Sequence, residues 1–136
     1  MSIDDQSLVD WTAFARARGE LGAGFVRILG YFREDGVKSV AAIEAAMRAN
    51  NAAGLVIPAH TLKGESRQFG AEPLGMLAER IETIARDSVE NRDTPDEALE
   101  LVVELRTLFE QTLSALEREA NPIVARRAGG FGRRAG

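Results

Sequence analysis

Apolar residues recur with the 3.6-residue period of an α-helix in nearly every segment of this 136-residue chain. No segment shows a convincing strand pattern. The periodicity predicts helical segments that cover about residues 7–18, 21–33, 37–49, 52–69, 73–88 and 95–120. A turn is expected at Glu34-Asp35-Gly36. Because long amphipathic helices joined by short loops favour antiparallel packing, we predict an all-α fold, an antiparallel four-helix bundle with a short N-terminal accessory helix.

A change in composition near Asn121-Pro122 suggests where the bundle ends. The residues that follow are rich in alanine, glycine and arginine and offer little apolar surface to bury. We therefore expect residues 1–120 to form one helical domain and residues 121–136 to be a disordered tail.

Composition also narrows the classes of function. The chain has no cysteine, which excludes disulfides and thiolate chemistry and suits an intracellular protein. Its net charge of −4 argues against a nucleic-acid surface. No apolar run reaches the roughly 20 residues of a membrane span, and the acidic start Met1-Ser2-Ile3-Asp4-Asp5 does not resemble a signal peptide. We expect a cytoplasmic location.

The only histidine, His60, falls on the outer face of the fourth predicted helix. At about 100° per residue, Lys63, Gly64 and Arg67 lie within about 60° of it. The opposite face is apolar or small and should face the core; it comprises Leu55, Ala59, Leu62, Ser66 and Phe69. The pattern predicts an exposed imidazole that shares its surface with two cations.

Gly64 is unusual because a glycine inside a helix is costly. It lies one turn after His60 on the same face, where a missing side chain would open the imidazole to another protein. Val56 and Ile57 fall near this face and predict an exposed apolar docking patch. Pro58 either kinks the helix just before the site or delays the start of its regular part.

The chemistry that fits these residues is phosphoryl transfer. A neutral, exposed imidazole is a competent nucleophile, and adjacent cations stabilise a transferring phosphoryl group. The sequence has neither a Walker-type loop nor a kinase glycine loop. The phosphoryl group would therefore arrive from one protein and leave to another.

Residues 60–64 (His-Thr-Leu-Lys-Gly), followed by Gly70-Ala71 and Leu74, resemble the signature of histidine-containing phosphotransfer (HPt) domains. The resemblance extends over about residues 7–118. It implies a phosphorelay intermediate that accepts a phosphoryl group from a receiver-domain aspartate and passes it to another receiver.

The resemblance also implies residue roles. His60 would be phosphorylated through Nε2, Lys63 would steady the phosphate, and Gly64 would provide access. Glu82, 22 residues after the histidine, would hold the proton on Nδ1. Arg86 matches a basic position that some members carry. Arg67 is larger than the small residues that the family usually has after the glycine, and we predict that it binds phosphate or a partner.

The implied partners are response-regulator receiver domains and a hybrid histidine kinase, with neither nucleic acid nor membrane. The chain itself would be a monomeric carrier rather than an enzyme. It would need no cofactor or metal, because the Mg²⁺ would be held by the receiver.

Three alternatives remain open from the sequence. The first is an adaptor bundle that binds receivers without transferring phosphate. The second is a dimeric phosphotransferase built on a histidine-kinase-like bundle, for which 136 residues leave no room for an ATPase-like domain. The third is a metal-dependent enzyme, for which His60 lacks convincing co-ligands.

Overall fold

The computed structural model describes the backbone of residues 5–120. Within that range all regular structure is helical. The α-helices are α1 (Asp5–Leu8), α2 (Trp11–Leu21), α3 (Phe25–Arg48), α4 (Ala52–Gln68), α5 (Glu72–Asn91) and α6 (Leu99–Ala120), with short 3₁₀ turns at Gly22–Gly24 and Asp96–Ala98. No helix in this part of the chain combines the length and apolar character that crossing a bilayer requires.

The four long helices form a closed ring of neighbours. Each packs against the next in chain order, and α6 returns to pack against α3. Because three-residue connections join α3 to α4 and α4 to α5, consecutive helices run in opposite directions. The predicted antiparallel four-helix bundle is confirmed. The predicted tail, residues 121–136, lies outside the described residues.

The turn predicted at Glu34-Asp35-Gly36 is wrong, because α3 continues without interruption through these residues. Gly36 is buried against α6, and a Cβ built on it would lie 2.3 Å from the Phe109 ring. This glycine therefore permits a close approach of two helices rather than a change of direction. The two short helices predicted on either side of it are one long helix.

The N-terminal helix also differs from the prediction, which placed one helix over about residues 7–18. The Asp10 side chain caps α2 by accepting hydrogen bonds from the backbone N–H groups of Thr12 and Ala13, both at 3.1 Å. Gly22, with a φ of +56°, ends α2. The single accessory helix is thus a one-turn helix followed by α2.

A backbone hydrogen bond ties this N-terminal segment to the loop between α4 and α5. The Asp10 N–H donates to the Gly70 carbonyl at 2.8 Å. Gly70 has a φ of +80°, and a Cβ there would lie 2.7 Å from the Asp10 carbonyl oxygen. Both its conformation and its surroundings therefore require glycine.

Helix α4 begins at Ala52, as predicted, whereas α6 begins later than predicted. Asn51 caps α4 by accepting a 3.0 Å hydrogen bond from the Gly54 N–H. The last helix was predicted to open at Pro95. A 3₁₀ turn intervenes, and α6 begins at Leu99.

An aromatic series runs through the core and links its elements. Phe14 of α2 meets Phe25, whose ring meets Phe69, and the rings of Phe32 and Phe109 complete the series at centroid distances of 5.3 to 5.8 Å. These rings join the accessory helix to α3, to the C-terminal end of α4 and to α6. The bundle and its N-terminal segment therefore share one core.

Candidate functional site

Helix α4 presents His60 to solvent because its other face is buried. The residues that were predicted to face the core are fully buried, namely Leu55, Ala59, Leu62, Ser66 and Phe69. The His60 side chain is 57% exposed. Pro58 lies inside the helix, which continues from Ala52 to Gln68, so the regular helix does not start late.

Glu82 of α5 lies under the histidine and binds three side chains. His60 Nδ1 is 3.0 Å from Glu82 Oε2. Lys63 Nζ lies 2.8 Å from Oε1, and Arg86 donates to Oε2 from Nε at 2.9 Å and Nη2 at 2.8 Å. We call His60, Lys63, Glu82 and Arg86 the Glu82 cluster. It joins one turn of α4 to one turn of α5.

The Glu82 carboxyl is buried yet remains ionised. Burial alone would raise its pKa, but hydrogen bonds from Lys63, Arg86 and His60 outweigh burial and lower the pKa to about 2. Two cations face this one carboxylate. The cluster therefore has surplus positive charge beside the imidazole.

An ionised Glu82 fixes the tautomer of His60. A carboxylate only accepts hydrogen bonds, so Nδ1 must carry the proton and donate it to Oε2. None of the described residues forms a hydrogen bond with Nε2. The lone pair of Nε2 is therefore unpaired within the described chain, on a side chain that is 57% exposed.

Gly64 opens the surface beside the ring. A Cβ built on it would meet nothing within 4 Å. Packing inside the described chain therefore gives no reason for glycine at this exposed position, in contrast to the buried Gly36.

Val56 and Ile57 line one side of a shallow groove between α4 and α5. Its other lining residues are Ala53, Arg86, Val89 and Glu90, and its volume is about 560 Å³. Val56 is partly buried, whereas Ile57 is 68% exposed. The groove begins one turn before His60 and includes a member of the Glu82 cluster.

Arg67 belongs to a different set of contacts. Its Nε lies 2.9 Å from Glu72 Oε1, and its Nη2 lies 2.8 Å from Glu79 Oε1. Its stem lies over Gly75, where a Cβ would come 3.0 Å from Arg67 Cγ. The guanidinium is therefore directed to carboxylates of α5 rather than to His60.

Sequence reasoning missed three ion pairs that only the packing of α4 on α5 reveals. Lys63 was expected beside the phosphate alone, and its ion pair with Glu82 was not foreseen. The two carboxylate partners of Arg67 were not foreseen either. Helical spacing orders residues on one helix, but it does not fix which residue of a neighbouring helix lies opposite. No group of three or more potential metal ligands occurs among the described residues.

Comparison with known proteins places this bundle and its histidine in a family. The family model for the Hpt domain matches residues 27–120. The crystal structure of histidine-containing phosphotransfer protein B from Pseudomonas aeruginosa PAO1 is similar, with a TM-score of 0.72 and 23% identity, over 82% of this chain and 93% of that one. No curated protein matches the chain. The family match covers more than half of the sequence and includes the whole Glu82 cluster, and the chain therefore belongs to the Hpt domain family.

Proposed function

We propose that this chain is a phosphoryl carrier of a two-component phosphorelay, with His60 as the residue that carries the phosphoryl group. The observation that carries the proposal is the hydrogen bond between His60 Nδ1 and the ionised Glu82, which leaves Nε2 free on an exposed ring. Membership of the Hpt domain family supports histidine phosphotransfer as the activity.

The proposed reaction needs no proton transfer within this chain. Nε2 of His60 attacks the phosphorus of a receiver's aspartyl phosphate, the N–P bond forms, and the aspartate carboxylate leaves with the electron pair of the broken P–O bond. The ring becomes cationic and keeps its proton on Nδ1. Glu82, held ionised by its cations, stabilises that positive charge.

Lys63 and Arg86 would have two roles in this scheme. Before transfer both are paired with Glu82. The phosphoryl group brings negative charge close to the imidazole, and the surplus positive charge of the cluster would stabilise it. Arg67 receives no role in phosphate binding, since two carboxylates hold its guanidinium.

The partner would dock over the open surface at Gly64 and the groove lined by Val56 and Ile57. Exposed apolar side chains next to a reactive group favour a protein partner. We expect response-regulator receiver domains and the receiver of a hybrid histidine kinase there. The Mg²⁺ of the transfer would be the receiver's, so the chain acts as a carrier whose catalysis is supplied mainly by its partner.

The test is incubation with a phosphorylated receiver, followed by acid and base treatment of the labelled chain. Phosphohistidine is labile in acid and stable in base, and we expect that behaviour. A label that is stable in acid and labile in base would contradict the proposal. The matched variant is His60→Gln, which should take up no label while keeping its thermal unfolding midpoint, because the side chain is exposed.

Binding measured in parallel separates the carrier from the adaptor. A carrier loses transfer and keeps receiver binding when His60 is replaced by glutamine. An adaptor would bind the receiver without taking up label even in the unaltered chain. That result would overturn the proposed function.

A further inference from the structure

The contact between α4 and α5 follows a regular pattern of charge. The two helices run antiparallel, so residues farther along α5 face residues nearer the start of α4. Arg67 of α4 lies 2.9 Å from Glu72 Oε1 and 2.8 Å from Glu79 Oε1. One turn earlier on α4, Lys63 lies 2.8 Å from Glu82 Oε1. These three carboxylates of α5 therefore each have a cation that α4 supplies.

Glu90, near the end of α5, breaks this pattern. It follows Glu72 by 18 residues, which is five turns of an α-helix, so both lie on the same side of α5. Glu90 lines the groove between α4 and α5. The residues that α4 contributes to this groove are Ala53, Val56 and Ile57, and none of them is charged. Helix α4 therefore supplies no cation to Glu90.

Arg86, one turn before Glu90 on α5, does not supply the missing charge either. Its Nε and Nη2 lie 2.9 and 2.8 Å from Glu82 Oε2, in the opposite direction along the helix. No hydrogen bond or ion pair joins Glu90 to another residue of the described chain. Glu90 is therefore an exposed carboxylate without a cation, at the edge of a largely apolar groove.

A partner that fills this groove can supply what the chain lacks. Ile57 and Val89 are exposed apolar side chains, and covering them is favourable. A cation next to Glu90 would complete the pattern of charge pairs along α5. We propose that the docking receiver places an apolar side chain in the groove and a lysine or arginine against Glu90. This inference rests on the proposed function, because it names the receiver as the occupant.

The proposed pair makes Glu90 a specificity-determining residue. A charge at the rim of an interface selects partners and speeds their encounter, and a like charge opposite it rejects them. A receiver with a carboxylate at the matching position would therefore be disfavoured. Glu90 lies outside the Glu82 cluster, so its charge should affect docking and leave the transfer step within the complex unchanged.

Rates of phosphoryl uptake at increasing concentrations of phosphorylated receiver test the proposal. The probe is the receiver domain that labels the unaltered chain. In Glu90→Gln we expect the half-saturating concentration to rise about two- to fivefold at low salt, the range of an exposed ion pair, at the same maximal rate. High salt should reduce the difference because it screens the pair. Glu90→Lys should raise the half-saturating concentration further, since two like charges then meet.

Glu34→Gln is the matched control for charge. Glu34 is an exposed carboxyl on α3, which packs against α4 and α6 and lies across the ring from α5. This variant has the same net charge as Glu90→Gln and should keep the half-saturating concentration of the unaltered chain. An equal rise in both variants would contradict the inference, because the net charge of the chain would then attract the receiver.

Ile57→Ser tests the apolar part of the surface, with Val103→Ser as its control. The two side chains are similarly exposed, at 68% and 72%, but Val103 lies on α6, outside the groove. Only Ile57→Ser should raise the half-saturating concentration, and high salt should not reduce its effect. Equal behaviour of the two variants would show that the receiver does not fill the groove.

The outcomes separate this inference from the proposed function. If the unaltered chain takes up label and Glu90→Gln has the same half-saturating concentration, Glu90 has no part in docking and the phosphoryl carrier stands. A lower maximal rate without a change in half-saturation would also overturn the inference, because Glu90 would then act on the transfer step. If the unaltered chain takes up no label, the proposed function fails and this inference fails with it.

Discussion

Helix α4 contacts a different kind of carboxyl on each of its two sides. Toward α5 it meets Glu82, whose pKa is about 2, and toward α3 it places Glu65, whose pKa is about 7. Burial raises the pKa of both groups. The difference arises because Glu82 has Lys63 and Arg86 as partners, whereas Glu65 faces another carboxyl.

In this bundle, the groups next to a carboxyl decide whether it is charged near neutral pH. Ion pairs stabilise the contact between α4 and α5, and the Glu82 carboxylate under the histidine stays ionised near neutral pH. The contact between α3 and α4 includes Glu65, whose charge changes near neutral pH because burial and the neighbouring Asp35 raise its pKa to about 7. One helix therefore has a side that is insensitive to pH near neutrality and a side that responds to it.

The largest expected effect is on acid stability. Because the pKa of Glu82 is lowered from 4.5 to about 2 on folding, its stabilising contribution is complete above pH 4.5 and is lost as the pH falls toward 2. That contribution is of order 3 kcal/mol, since one pKa unit corresponds to about 1.4 kcal/mol. Urea unfolding from pH 2 to pH 6 measures it.

Glu82→Gln is the matched variant for this measurement, since it keeps an acceptor for His60 Nδ1 and removes the charge. The difference in the free energy of unfolding between this variant and the unaltered chain should be largest above pH 4.5 and shrink toward pH 2. If this difference does not depend on pH, the cations of the cluster do not lower the pKa of Glu82.

A smaller effect is expected from Arg67→Gln on the α5 side. The side chain is 34% exposed, and its ion pairs with Glu72 and Glu79 should contribute less than about 1 kcal/mol each. The thermal unfolding midpoint of the variant should be modestly lower than that of the unaltered chain. The difference should be smaller at high salt than at low salt. Phosphoryl uptake by His60 should stay unchanged in this variant. If Arg67 bound phosphate, as the sequence predicted, uptake would fall.

The smallest expected effect on stability has the opposite sign. Gly64→Ala should stabilise the chain by about 0.5–1 kcal/mol, because alanine favours the helix and the added Cβ meets nothing. Gly64→Leu should keep the fold but slow phosphoryl uptake from a receiver, since its side chain occupies the proposed docking surface. If uptake proceeds at the rate of the unaltered chain, Gly64 is not part of the docking surface.

Periodicity was sufficient to predict which face of α4 is buried. A repeat of 3.6 residues assigned Leu55, Leu62 and Phe69 to the core, and all three are fully buried. The same reasoning placed His60 outside. These predictions succeeded because they depend on one helix and its solvent boundary.

Predictions that depended on a second helix were less successful. Gly36 was interpreted as part of a turn, yet its lack of a side chain accommodates the Phe109 ring of α6. Lys63 was correctly placed beside His60, but its pairing with Glu82 depends on how α5 packs against α4. A single sequence does not specify the relative rotation of two helices, so such contacts appear only in the structure.

The hydrogen bond between Asp10 and Gly70 has a practical consequence for anyone who trims this protein. The family match begins at residue 27, downstream of Asp10, Phe14 and Phe25. A fragment cut at that limit would lose two rings of the aromatic series and the donor for the Gly70 carbonyl. The autonomous folding unit therefore extends upstream of the recognisable domain, at least as far as the residues that anchor the corner after α4.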